Sequence, residues 1–150
     1  MKIAIGGDHA AVYMKKTIAL ELEALGHEVQ DFGTHTSQAV DFPDYGLIVA
    51  EAVSDGSFDR GIIICGTGIG MSISANKVKG IRCALCSDVF SAKATRLHND
   101  SNVLALGERT CGVGLALEIV RAWIDTPFSN DERHKKRVSK ITAIEEKYFK

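Results

Sequence analysis

Cys65 closes a short apolar run and opens a glycine-rich turn, Ile64-Cys65-Gly66-Thr67-Gly68-Ile69-Gly70. Glycines let a backbone approach a ligand closely, and a helix starting near Ile69 aims unpaired N–H groups at it, which makes a cradle for an anion or a developing oxyanion. The turn lacks the Lys-Ser/Thr ending of a P-loop, and Met71 stands where a dinucleotide fingerprint has its third glycine. A cysteine that ends a buried strand just before a helix is placed where the thiolate, the reactive form, is favoured. The plain alternatives are a tight connection for the glycines and a small core residue for the thiol.

Three more polar groups flank predicted strands: Asp8-His9, His98-Asn99-Asp100 and Glu108-Arg109. Their plain alternatives are a helix cap with a surface histidine, a polar turn and a surface ion pair. Taken with Cys65, they place a thiol, a cradle, two histidines, acids and an arginine on loops at one sheet edge. Cys83 and Cys86 form a C-x-x-C, but within a strand they point to opposite faces, and no second pair stands at zinc spacing. Cys111 reads as packing.

The elements that must position these groups alternate. Strands are predicted at 2–6, 27–32, 61–65, 81–86 and 102–106, and Ile62-Ile63-Ile64 is apolar throughout, as in a strand covered on both faces. Helical patterns run near 10–25, 45–54, 69–76, 89–97 and 112–123. The result is α/β: a Rossmann-like three-layer sandwich, one domain over 1–150, with a five-stranded parallel sheet whose ligands sit beyond the carboxyl ends of the strands. A last helix, 133–149, carries an apolar stripe of Val138, Ile141, Ile144 and Tyr148 that Arg133 and Arg137 continue. It packs either on its own subunit or on a second one.

Bulk composition narrows the partners. Lys and Arg total 18 against 19 Asp and Glu, a net charge of -1, which removes the overall reason to bind nucleic acid or an anionic membrane. No segment has the length and apolarity of a membrane span, and the start of the chain reaches Gly and Asp too soon for a signal-peptide core. A cytoplasmic location and reduced thiols are expected. The positive charge that exists is local, at Arg133, Lys135, Lys136, Arg137 and Lys140.

The residues named so far carry a resemblance. Gly7-Asp8-His9, Asp41-Phe42-Pro43, the Cys65 turn, Ala75-Asn76-Lys77, Arg96-Leu97-His98-Asn99-Asp100, Gly107-Glu108-Arg109, and Arg133-His134 with Arg137-Val138 occur in order. Over essentially its whole length the chain resembles the type B ribose-5-phosphate isomerases, in the family shared with the galactose-6-phosphate isomerase subunits. The resemblance implies interconversion of ribose 5-phosphate and ribulose 5-phosphate through a cis-enediolate, in the non-oxidative pentose phosphate pathway, with no metal and no cofactor. It implies a homodimer or homotetramer whose active sites are shared between subunits, and places the last helix at that interface. By the same resemblance Cys65 is the base, and the amides of Gly66, Thr67, Gly68, Ile69 and Gly70 hold the oxyanion. Thr67 orients substrate or relays protons, and His98 opens the sugar ring. Asp8 and Asn99 bind hydroxyls. The phosphate falls to His9, Arg109, Arg133 and Arg137, some of them from the partner, and Asp41 and Tyr45 reach the sugar end. The intact His98-Asn99 pair favours the ribose branch; allose 6-phosphate and galactose 6-phosphate are the alternative substrates.

Overall fold

Along every central strand the side chains alternate between two buried faces. Ile3, Ile5, Ile62, Ile64, Leu104 and Leu106 enter one core cluster, while Ala4, Ile63, Cys65, Val103 and Ala105 enter another on the opposite face. Period-two side chains covered on both faces require helices above and below the sheet. The structure, a computed structural model, describes residues 1–149 and supplies those layers. In chain order they are β1 (Lys2–Gly7), α1 (Val12–Ala24), β2 (Glu28–Asp31), α2 (Phe42–Ser54), β3 (Arg60–Cys65) and α3 (Ile69–Ala75). There follow β4 (Cys83–Leu85), α4 (Val89–Asn99), β5 (Val103–Gly107), α5 (Val113–Asp125) and α6 (Glu132–Tyr148). The five strands are parallel in the order β2-β1-β3-β5-β4.

Helices α1, α4 and α5 cover one face and α2 and α3 the other. Each fully buried isoleucine in these clusters contributes roughly 1.5–3 kcal/mol. Trp123, the largest fully buried side chain, donates from Nε1 to Ser101 Oγ at 2.8 Å, so its one polar atom is satisfied. No helix among the described residues is long and apolar enough to cross a membrane.

Most elements shift by a residue or two from the sequence expectation, α2 begins at Phe42, three residues ahead of the expected 45, and three further differences bear on the site. Strand β4 is only three residues, against the six expected over 81–86. Arg82 instead reaches Asn99 and Asp100, and the Asn76 side chain bonds both the N–H (2.8 Å) and the carbonyl (3.0 Å) of Cys83. Helix α1 begins two residues late because Asp8 Oδ1 takes the Ala10 amide at 2.9 Å, which makes a turn of that stretch. Helix α4 runs two residues past 97, so His98 and Asn99 are helical, not part of a turn.

Helix α6 lies outside the sandwich against α4, pinned near its far end by a Glu145 Oε1 that accepts the Gly80 amide at 2.7 Å. Packing on its own subunit does not account for its stripe. Ile141, Ile144 and Tyr148 are 44%, 61% and 67% exposed, and His134 is the only buried residue of the helix.

Candidate active site

At the carboxyl ends of β1, β3 and β5 the predicted cluster forms around one thiol. Cys65 is the last residue of β3 and 6% exposed. Its Sγ accepts the Gly68 amide at 3.1 Å, which fixes the direction of the sulfur. Gly68 holds a left-handed φ of 77°, and a Cβ there would sit 2.5 Å from Leu85 and 2.9 Å from the Leu106 backbone. No side chain fits. Gly68→Ala is expected to cost at least about 2 kcal/mol in urea unfolding, through overpacking and backbone strain; an unchanged midpoint would refute this account of the turn.

Two of the five amides expected to form the cradle are engaged within the turn. The Gly68 amide serves the sulfur, and the Ile69 amide goes to Thr67 Oγ1 at 3.3 Å. That leaves the Gly66, Thr67 and Gly70 amides, and the Met71 amide beyond them, for which no protein acceptor is present among the described residues, as donors for a ligand. Phe42 packs against Gly70, where a Cβ would come within 2.6 Å of its ring.

The neighbouring strand ends close around this turn. Glu108 and Arg109 donate their amides to the Cys65 and Gly66 carbonyls, each at 2.9 Å. The Glu108 carboxylate accepts the Met14 amide at 3.1 Å and is not paired with Arg109. Arg109 therefore keeps its charge for another partner, with its side chain 3.3–3.5 Å from the position of a Gly66 Cβ. Asp8 is buried after β1, and His9 Nδ1 accepts the Val40 amide at 3.2 Å, so the neutral ring carries its proton on Nε2. Thr67 and Arg109 are exposed at the surface of this edge.

His98, Asn99, Arg133 and Arg137 do not join them, which corrects the expectation of two histidines at one edge. Helix α4 starts at the carboxyl end of β4 and returns antiparallel to the strands, so its last turn lies at the amino ends. Arg82, just before β4, donates from Nε to the carbonyls of Asn99 (3.1 Å) and Asp100 (2.9 Å). Strand β5, roughly 13 Å long at 3.3 Å per residue, separates this group from the Cys65 turn. Asp100 takes a left-handed φ of 49° and accepts from both Arg82 (3.0 Å) and Arg96 (2.8 Å), which locks the end of α4. The His98 ring meets the His134 ring at 4.6 Å between centroids. Arg133 and Arg137 are exposed on the first turns of α6.

One chain thus places the predicted residues in two clusters on opposite edges. Two clefts lie away from Cys65: one of about 300 Å³ lined by Arg82, Cys83, Asn99 and Ile141, another of about 490 Å³ lined by Lys15, Asp31 and His35. Cys83 and Cys86 belong to the two different core faces, and burial raises both thiols, Cys86 to about 11. A dithiol pair is not what that geometry builds. Phe42 and His134 stand in the resembling blocks with no role attached, and Ser129 stands in none; the structure sets Phe42 against Gly70 and His134 between Ser129 and His98. The return direction of α4 was available from the crossover rule alone.

The described geometry has close counterparts. A family model described as Ribose/Galactose Isomerase matches residues 3–141. The chain is 49% identical over 146 residues to ribose-5-phosphate isomerase B of Escherichia coli, covering 97% of each chain. It is 46% identical over 129 residues to a D-erythrulose-4-phosphate isomerase of Pectobacterium atrosepticum, covering 85% of each. Among solved structures, ribose-5-phosphate isomerase B of Clostridium thermocellum superposes with a TM-score of 0.96 at 55% identity, over 99% of both chains.

Proposed function

The chain belongs to the ribose/galactose isomerase family and is a sugar-phosphate isomerase; from that premise we propose that it interconverts D-ribose 5-phosphate and D-ribulose 5-phosphate with Cys65 as the base. The observation that carries the choice of base is the Cys65 sulfur itself, directed by the Gly68 amide at the strand end between Asp8 and Arg109. The Cys65 thiolate removes the proton from C2 of the open-chain aldose, and the electron pair moves through C1 onto O1. The resulting cis-enediolate is held by the free amides of the turn, at Gly66, Thr67, Gly70 and Met71. The thiol returns the proton to C1 as the proton on O2 moves to O1, which leaves a ketone at C2. Thr67, exposed beside the sulfur, orients the hydroxyls for that relay.

The furanose must open first, and His98 is the acid–base for that step, with Asn99 and Asp8 on the hydroxyls. His9, Arg109, Arg133 and Arg137 take the phosphate, arginine supplying two parallel N–H donors. Since His98, Asn99, Arg133 and Arg137 sit at the edge opposite Cys65, the working unit is a homodimer in which each Cys65 edge meets the partner's His98 edge. An isologous contact makes two such sites at once. The exposed stripe on α6 and the exposed Ile69, Ile73 and Phe90 near the cradle supply apolar surface for it. The physiological setting we propose is the non-oxidative pentose phosphate pathway of the cytoplasm.

The choice of sugar rests on the intact His98-Asn99 pair. A turnover panel of ribose 5-phosphate, allose 6-phosphate and galactose 6-phosphate tests it. Ribose 5-phosphate is expected to lead by at least about tenfold, the discrimination one extra carbon allows. A six-carbon substrate in the lead moves the assignment to the allose or galactose branch. Tight nucleotide or flavin binding with no isomerisation of any sugar phosphate overturns the catalytic reading.

A further inference from the structure

Helix α6 is a run of exposed charge with one buried side chain, His134, which is 3% exposed. An imidazole taken out of water needs partners. One is Ser129, whose hydroxyl is hydrogen-bonded to Nδ1 at 2.6 Å and also accepts the Asp131 amide at 3.2 Å. The other is His98, whose ring lies 4.6 Å away at a tilt of 41°. The Ser129 amide donates to the Leu97 carbonyl at 3.2 Å, so the loop that carries the hydroxyl is tied to the turn of α4 that carries His98.

His98 has no other restraint of this kind. It is exposed, and among the described residues no hydrogen bond to another side chain holds its ring. An exposed imidazole with nothing against it samples several rotamers, and a general acid–base must be held in one. Burial first, then the Arg133 and His98 charges and more weakly Arg137, hold His134 below the usual histidine range, with Asp131 acting the other way. The buried ring is therefore neutral near pH 7, and contact with it costs a protonated His98 no like-charge repulsion.

We propose that His134, oriented by Ser129, is a positioning residue that fixes the plane of the His98 imidazole for ring opening. This rests on the ring-opening role given to His98 above. Ribose 5-phosphate is a furanose in water, whereas ribulose 5-phosphate is acyclic, because its C5 oxygen is esterified and cannot close on C2. Only the forward direction needs the ring opened.

The test is steady-state kinetics in both directions on His134→Ala, His134→Phe and Ser129→Ala. For His134→Ala the forward kcat is expected to fall about 10- to 100-fold, and KM with it, as unopened furanose occupies the site. The kcat from ribulose 5-phosphate stays within about threefold of wild type, since the enediolate chemistry is untouched. His134→Phe, which keeps a ring at the contact, recovers part of the forward rate, and Ser129→Ala shows the same split more weakly. Equal losses of kcat in both directions, or no loss in either, overturn the proposal; if His134→Ala does not fold, Ser129→Ala decides by the same split. Wild-type protein inactive in both directions refutes the isomerase assignment itself, and this inference with it.

Discussion

Cys65→Ala is expected to lower kcat for ribose 5-phosphate by at least about a thousandfold, within the range a removed proton-transfer group costs, while the protein stays folded. The separation of the two effects follows from where the thiol sits. Cys65 is a core residue of the α2/α3 face, so truncation removes one sulfur from the packing and leaves a void that costs about 1–2 kcal/mol. It also takes the acceptor from the buried Gly68 amide, at a further cost of about 1–3 kcal/mol. Among the residues of that edge no carboxylate or imidazole stands within the turn to take over, since the stretch from Gly66 to Ser74 contains none. Turnover measured beside circular dichroism decides the matter. Cys65→Ser returns a hydrogen-bond acceptor to Gly68 without returning a competent base, so it is expected to stay inactive. Turnover within about threefold of wild type in both variants would remove Cys65 from the mechanism.

The second large effect belongs to the pairing of edges. Arg137→Ala alone and Cys65→Ala alone are each expected to be nearly inactive in isolation. In a hybrid dimer one site carries both lesions, and the other carries an intact Cys65 with an intact Arg137 from across the contact. Random mixing makes half of the dimers hybrids with one good site each, so activity recovers to about a quarter of wild type. Subunits exchanged by co-expression or by refolding a mixture give the measurement. If mixed dimers, confirmed as hybrids by mass, recover no turnover, then Arg137 serves its own chain's site and the shared-site arrangement fails. The α6 geometry makes that outcome hard to reach, because its first turns lie beside His98 at the edge away from Cys65.

The parallel sheet was legible from the alternation of short apolar runs with helical patterns, and the Cys65 turn from three glycines around a thiol. Both are local signals, and the structure keeps both. The exposed stripe on α6 was legible as a stripe, but which surface it faces depends on what the sandwich leaves uncovered. His98 lies at the edge away from Cys65 because the strand that follows it, β5, begins there and does not end there. The direction of α4 is a property of the whole crossover and is invisible in the segment 98–100. His134 was hidden by its setting, since a histidine among Arg133, Lys135, Lys136 and Arg137 has the composition of a solvated face. What buries it is a serine five residues earlier and a ring from another helix, and neither leaves a periodic trace.

The Asn76 amide that completes Cys83 has a bearing on colloidal behaviour. A parallel sheet of five strands ends in two open borders, and an open border is a template on which another chain can extend the sheet indefinitely. On the β4 side the template is cut short twice: the strand offers three residues, and the first of these has its outward N–H and C=O already occupied by a side chain of its own molecule. On that border the molecule thus guards itself with one of its own side chains against edge-to-edge extension by another chain.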